Sequence, residues 1–337
     1  MEPNRNCAMS LAPILRKVPL FAELSEAEMI DRVRETSPDA VFLGTRLITD
    51  GGAKPIVHQI ECMAVLKESF PRLITIMGGL GVSPMARELL NLAPQIDYIL
   101  VGEIEPALTE LLAELKREQP RLNEVLGLVH RNDSTIVRNP PRPLLPDLDQ
   151  LPMPAYDLFP MDKYIGFSRI EHYNEAVTSR GCEGACSFCY EWGLIDPRRG
   201  GDFFVHRTRS GKLVADEIEL LNKTYGVKAL NFLDDDFNSS RQKMLDLLDE
   251  LESRQLDVHW FFMGRARNLI RDADLIPRMR KAGCYQVLFG IEVGTDKELF
   301  EMHKSKEPYT IGDLKDLVRL LRRNDISTVG TYMNGFW

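Results

Sequence analysis

Residues 177–189 read Val177-Thr-Ser-Arg180-Gly-Cys182-Glu-Gly-Ala-Cys186-Ser-Phe188-Cys189. The stretch opens as the end of an apolar strand, Glu175–Ser179, and turns into a loop bearing three cysteines. Closely spaced thiolates are the ligands of iron–sulfur clusters. Three cysteines on a [4Fe–4S] cluster leave one iron open to a substrate or cofactor. The other cysteines, Cys7, Cys62 and Cys284, are scattered. Cys284 follows Gly283 at a helix end and reads as a small buried hydrophobe. A disulfide framework would spread its cysteines along the chain. The competing metal is zinc in a Cys₃His site recruiting His172 or His206, although zinc ligands normally come as two separated pairs.

Downstream of the loop, strand and helix patterns alternate. Strands are expected at Ala229–Leu233, Val258–Met263, Tyr285–Ile291 and Thr328–Met333. Helices are expected at Lys212–Tyr225, Arg241–Arg254, Asp274–Ala282 and Ile311–Arg323, with Gly283 ending the third. Five βα-type units in a row predict a barrel or partial barrel, with its site at the carboxyl ends of the strands. The polar residues fall at those ends: Arg180 and the cysteines after the first strand, Asp234–Asp236 after the second, Arg265 after the third, Glu292 after the fourth. Asp234 and Asp235 also read as helix-capping acids ahead of Arg241–Arg254. His58, His130 and His303 are isolated.

Upstream, Asp39–Thr45, Arg72–Met77 and Ile96–Val101 read as strands. A helix covers Pro55–Phe70, a short one follows Ser83-Pro84 with the serine as its cap, and another runs to about Arg117. Val125–His130 and Thr135–Arg138 close the unit. Alternation implies a parallel α/β sheet of Rossmann-like, flavodoxin-like type, which takes ligands at its strand ends. Thr45, Gly44, Gly78, Gly79 and Gly102 fall there. Seven prolines between Pro140 and Pro160 exclude helix or sheet interior. The expected division is a first domain over 1–139, a linker over 140–165 and a second domain over 166–337.

Of 337 residues, 44% are hydrophobic and 27% charged, which excludes disorder as the dominant state. A net charge of −8 argues against coating nucleic acid. The chain has no apolar run of transmembrane length and no signal-peptide pattern at its start, so a cytoplasmic protein is expected.

The cysteine string, with an aromatic before its last cysteine and Val177-Thr-Ser-Arg180-Gly181 ahead of it, resembles the signature of the radical S-adenosylmethionine (SAM) superfamily. That resemblance implies that Cys182, Cys186 and Cys189 hold a [4Fe–4S] cluster whose open iron binds SAM. An electron then cleaves SAM to methionine and a 5′-deoxyadenosyl radical. Phe232-Leu-Asp-Asp-Asp-Phe237 and Phe289-Gly-Ile-Glu292-Val-Gly294 resemble elements of the subgroup with a cobalamin-binding domain. Gly78-Gly79 and Gly102-Glu103-Ile-Glu105 resemble elements of that domain itself. Arg265-Ala-Arg267, Ile270-Arg-Asp272, Lys281-Ala-Gly283 and Leu320-Leu-Arg322 are similar to the anaerobic magnesium-protoporphyrin monomethyl ester cyclases.

By this resemblance Asp234 and Asp235 lie where the SAM amino group is held, Arg265 pairs with the SAM carboxylate, and Glu292 holds ribose hydroxyls or the amino group. Phe188 and Tyr190 cover the cluster. Thr45, Gly78, Gly79, Gly102 and Glu103 form the cobalamin-type site. No Asp-x-His-x-x-Gly string supplies a histidine to cobalt. The implied reaction is oxidative cyclisation of a tetrapyrrole-like molecule, or methylation of another small organic substrate, with a reductant such as flavodoxin or ferredoxin. The family's opening strand and Gly-Pro loop have no counterpart in residues 1–24, and relatives continue past Trp337, so both domains are expected to be incomplete. Two other readings stay open: a non-catalytic remnant that binds a cluster or a partner protein, and a zinc-stabilised binding module.

Overall fold

The structure, a computed structural model, describes residues 25–44, 54–163, 172–184, 186–189, 206–304 and 307–335. Thr45, Tyr190 and Cys7 lie outside the described residues. Those described divide into two compact units, meeting in the chain at Leu144 and Leu145.

The first unit holds helix α1 (Glu26–Thr36), strand β1 (Ala40–Gly44), helix α2 (Lys54–Ser69), β2 (Ile74–Gly78), α3 (Ala86–Leu92), β3 (Tyr98–Leu100), α4 (Ile104–Glu114), β4 (Leu128–Asn132) and β5 (Thr135–Arg138). Strand order follows the chain, β1-β2-β3-β4-β5; the first three are parallel and the last two form an antiparallel pair. Both faces of the central strands are covered, as their largely apolar sequences require. Met77 and Ile99 pack with Met63 and Leu90 on one side, and Ile76 and Leu100 with Ala107 and Leu111 on the other. Ser25 starts α1 with a capping box to Glu28.

Ser83 is not a helix cap. It begins a 3₁₀ turn, Ser83–Met85, whose cap position is Val82. Its hydroxyl instead donates to the Gly79 carbonyl at 2.7 Å and accepts from the Gly102 amide at 2.9 Å. One serine thus ties the turns after β2 and β3, where φ is +106° at Gly79 and +80° at Gly102. Glycine adopts such angles without steric cost.

The second unit contains β6 (Tyr173–Ala176), β7 (Ser179–Arg180), β8 (Arg207–Thr208), α5 (Gly211–Tyr225), β9 (Ala229–Phe232), α6 (Arg241–Arg254), β10 (His259–Met263), α7 (Ala266–Arg271), α8 (Ile276–Lys281), β11 (Cys284–Glu292), α9 (Asp296–Glu301), α10 (Ile311–Arg323) and β12 (Ser327–Tyr332). Five strands form one parallel sheet, β6-β9-β10-β11-β12, in which chain neighbours are sheet neighbours. That order places every carboxyl end on one side. Phe232, Phe237, Trp260 and Phe262 form a buried aromatic cluster beneath it, with ring centroids 4.5 to 6.0 Å apart.

The expected strand Glu175–Ser179 is split. After Ala176 the chain leaves the main sheet, and Ser179 and Arg180 pair antiparallel with Thr208 and Arg207. The reason lies at Thr178, whose amide bonds to the carboxylate of Asp234 rather than to a strand.

Candidate active site

The three cysteines sit just beyond this split, past Gly181 with its φ of +79°. Cys182, Cys186 and Cys189 are partly exposed and form no disulfide. Gly184 packs between two of them. A methyl group there would lie 3.2 Å from Cys182 Sγ, 3.5 Å from Cys186 Sγ and 3.5 Å from the Arg265 guanidinium carbon. The Gly184 amide donates to Cys182 Sγ at 3.3 Å. Two thiols and one cation therefore share a small space at the sheet's carboxyl end.

Each surrounding element contributes a fixing contact. The Ser187 amide and hydroxyl donate to the Met302 carbonyl at 3.0 and 3.3 Å. Phe188 packs against Val293, Leu299 and Met302. The Lys304 carbonyl accepts from the Arg265 guanidinium and lies 4.0 Å from Cys186 Sγ. Burial pushes the Cys186 thiol up, and the positive charges of Arg265 and Lys304 pull it back. Arg265 stands at the N-cap position of α7, its amide donating to Asn238 Oδ1 at 3.0 Å, and Asn238 occupies the space that a side chain at Gly264 would need.

The carboxylates separate by environment. Asp234 is fully enclosed. Its Oδ1 accepts from the Thr178 amide at 3.0 Å, the Thr178 hydroxyl at 2.9 Å and the Ser179 hydroxyl. Asp235 is part-exposed. Asp236, in the turn after β9, lies 3.9 Å from Cys182 Sγ and accepts from Asn268 at 3.1 Å. Burial raises the Asp236 carboxyl to about 6, against the pull of Arg265. None of the three caps α6, because Ser240 does so through the Lys243 amide.

Glu292 ends β11 with a left-handed φ of +65°. Its Oε1 accepts from Lys304 Nζ at 2.8 Å, and Lys304 also donates to the Gly290 carbonyl. Both side chains are about nine-tenths buried, so the pair is shielded from water. Lys304 was not legible in sequence. It follows a six-residue helix, α9, that no long periodic pattern marks, and its partner lies 12 residues back. Asp236 was visible only as the third of three aspartates.

The two candidate histidines differ in place: His172 is remote, whereas His206 lies beside the Asp236 backbone and near Glu183 of the cysteine loop. His172 lies at the amino end of β6, opposite the cysteines, and is exposed. His206 is held by Ser239 Oγ, 2.9 Å from Nε2. Among the described residues no three His, Cys, Asp or Glu side chains converge to hold a single metal ion. Cysteines that each bind a different iron of a cluster need no such convergence. Cys284 is buried in β11, where burial pushes its thiol up.

Residues 176–336, from the end of β6 through β12, match the family model of the radical SAM superfamily. The chain is a radical SAM superfamily protein. It is related to radical SAM enzymes with cobalamin domains. It is 30% identical to the anaerobic magnesium-protoporphyrin IX monomethyl ester cyclase of Rubrivivax gelatinosus, over 93% of this chain and 54% of the relative. It is 28% identical to that of Synechocystis sp., over 94% and 60%. The chain thus spans a little over half the length of these relatives. The fold matches the cobalamin-dependent radical SAM enzyme OxsB, solved with aqua-cobalamin and SAM, at a TM-score of 0.73 and 18% identity, over 92% of this chain and 43% of that one. It also matches the radical SAM methyltransferase TsrM from Kitasatospora setae, at 0.69 and 21%, over 92% and 60%. In radical SAM terms, the cysteine loop leaves the first strand of a parallel sheet, with a mixed-sheet unit ahead of it.

Among the described residues no helix is long and apolar enough to cross a membrane. In the first unit, Gly78 has a packing role, since a methyl there would press on Leu100 and Ile104 at 3.1 Å. Glu103 caps α4 in position.

Proposed function

We propose that this chain is a radical SAM enzyme, with Cys182, Cys186 and Cys189 as the ligands of a [4Fe–4S] cluster. The carrying observation is the group of three cysteines on one short loop at the sheet's carboxyl end, two of whose sulfurs share the space around Gly184 with the Arg265 guanidinium. The donor set fits: burial pushes the Cys186 thiol up, and the charges of Arg265 and Lys304 partly offset this, reducing the cost of the thiolate that iron requires. When bound, the cluster supplies one electron that cleaves SAM into methionine and a 5′-deoxyadenosyl radical. Arg265 suits the SAM carboxylate, because a guanidinium fork matches that group. Asp235 and Glu292 are the acidic groups for the amino group and ribose hydroxyls, with Lys304 fixing the rotamer of Glu292. Phe188, packed on Val293 and Met302, keeps water from one side.

Cobalamin belongs to the first unit, at the glycine turns after β2 and β3 and at Glu103, where parallel sheets take ligands. The substrate is a small organic molecule, tetrapyrrole-like by the relatedness to the cyclases. The reaction is oxidative cyclisation or, by likeness to the methyltransferase, carbon methylation. A flavodoxin- or ferredoxin-type protein supplies electrons.

Anaerobic reconstitution with iron and sulfide tests the reading. A brown protein that forms 5′-deoxyadenosine from SAM under reduction supports it. Cys186→Ala should lose both the colour and the cleavage. A colourless chain retaining one zinc rejects it. Product mass from incubation with magnesium-protoporphyrin monomethyl ester separates cyclisation from gain of one methylene, and an unchanged substrate rejects the tetrapyrrole assignment.

A further inference from the structure

Asp234 and Lys243 are charged residues deep in the second unit, held together through Thr178. Lys243 is 5% exposed and Asp234 is wholly buried. Burying charge costs several kcal/mol per ion unless the geometry compensates it. The compensation converges on Thr178. Its hydroxyl donates to Asp234 Oδ1 at 2.9 Å and accepts from Lys243 Nζ at 2.5 Å, while its amide donates to the same carboxylate oxygen. The Thr178 carbonyl accepts from the Arg209 amide at 2.8 Å. The Ser179 hydroxyl completes the set on Asp234. Lys243 lies over the Phe237 ring, 4.5 Å from its centroid, a placement that favours a desolvated cation.

These contacts occur where the chain turns out of the main sheet, four residues before Cys182. The Leu233 amide joins the neighbouring strand end to Ala176 at 2.9 Å. Two residues beyond Asp234, Asp236 faces Cys182. The segment after β9 therefore grips the cysteine loop at its entry and again at its first thiol. Asp234 Oδ2 is enclosed by protein and has no hydrogen-bond partner. A SAM amino group cannot reach this carboxylate without opening the core.

We propose that Asp234, Thr178, Ser179 and Lys243 form a positioning clamp that sets the exit direction of the cysteine loop, and that Asp234 does not bind SAM. The proposal rests on the three cysteines being the cluster ligands. It predicts that cluster retention depends on the Thr178 hydroxyl, a group that touches neither iron nor SAM.

The test uses the whole chain, reconstituted anaerobically with ferrous iron and sulfide, and compares the parent with Thr178→Val and Thr178→Ser. Valine keeps the shape and removes both hydroxyl bonds. Thr178→Val should release iron to a chelator about ten-fold faster, the factor carried by one hydrogen bond to a charged group. It should also alter the electron paramagnetic resonance spectrum of the reduced cluster. Thr178→Ser should restore both. Identical iron content, spectrum and release rate in Thr178→Val and parent would overturn the clamp alone. A parent that takes up no iron overturns the cluster assignment and the clamp together. If Thr178→Val fails to fold, Ser179→Ala, which removes one bond to Asp234, decides instead: faster release supports the clamp and a parental rate overturns it.

Discussion

Gly290 is glycine because Glu292 and Lys304 occupy the space where its side chain would be. The backbone bulges between Gly290 and Glu292, the carboxylate folds back over the glycine, and Lys304 meets it there. Gly290→Ala should therefore displace the shielded ion pair and cost about 1–3 kcal/mol, as overpacking does, read as a lower urea midpoint; an unchanged midpoint would remove the steric account of the motif. Lys243 gives a pH prediction. Burial lowers it from 10.5 to about 8, partly offset by Asp234. Below pH 8 the lysine is charged in both states, and the folded chain bears the whole cost of burying it. Between about 8 and 10.5 the unfolded chain holds a proton that the folded chain has lost, so stability from this group rises with pH. The unfolding free energy of the parent minus that of Lys243→Met should rise across this window by on the order of 3 kcal/mol. A flat difference would show that the lysine is not desolvated.

At the scale of elements, close approach between helices is set by a few small residues. Gly211 opens α5, and a methyl there would meet the Leu247 amide nitrogen at 2.5 Å and the Lys243 carbonyl at 2.8 Å on α6. Both are backbone atoms and cannot rotate away. Gly211→Ala should push the two helices apart and destabilise by about 1–3 kcal/mol, as overpacking does, seen as a lower melting temperature with unchanged helix content. A stabilised variant, as expected from helix propensity alone, would contradict this packing. Long periodic elements such as α5, α6 and α10 were legible, because amphipathic spacing over 13 to 15 residues leaves a pattern in the sequence. The six-residue helices α7 and α9 were not, being too short to show a period. The cysteines were legible from local spacing. The break at Thr178 and the pair of Glu292 with Lys304 were not, because each depends on a partner brought in by the tertiary fold. Ser83 shows the same limit: its serine-proline start matches a helix cap, yet its hydroxyl is claimed by Gly79 and Gly102.

For the whole molecule, the proline-rich stretch is where the two units must be separated, and its side chains indicate where. Proline excludes regular structure there, and only short 3₁₀ turns form, at Leu148–Gln150, Tyr156–Leu158 and Met161–Lys163. Yet Tyr156 is buried in the core of the second unit, its hydroxyl donating to Glu217, which also pairs with Arg209. Arg207 donates to the Leu145 carbonyl at 2.7 Å, and the Ser210 amide to Asp149 Oδ1 at 2.8 Å. These contacts stitch residues 145–156 onto the segment that carries β8 and opens α5. The stretch is thus an N-terminal strap of the second unit more than a free linker. A fragment beginning at Leu145 should fold and take up iron as the full chain does. A fragment beginning at Gly166 leaves the site of Tyr156 empty beside a buried Arg209–Glu217 pair, and should lose about 3–5 kcal/mol, the usual cost of removing a large buried ring. Urea unfolding of the two fragments side by side measures this. Equal midpoints would mean that the strap contributes nothing, and that the boundary lies where the prolines end rather than where they begin.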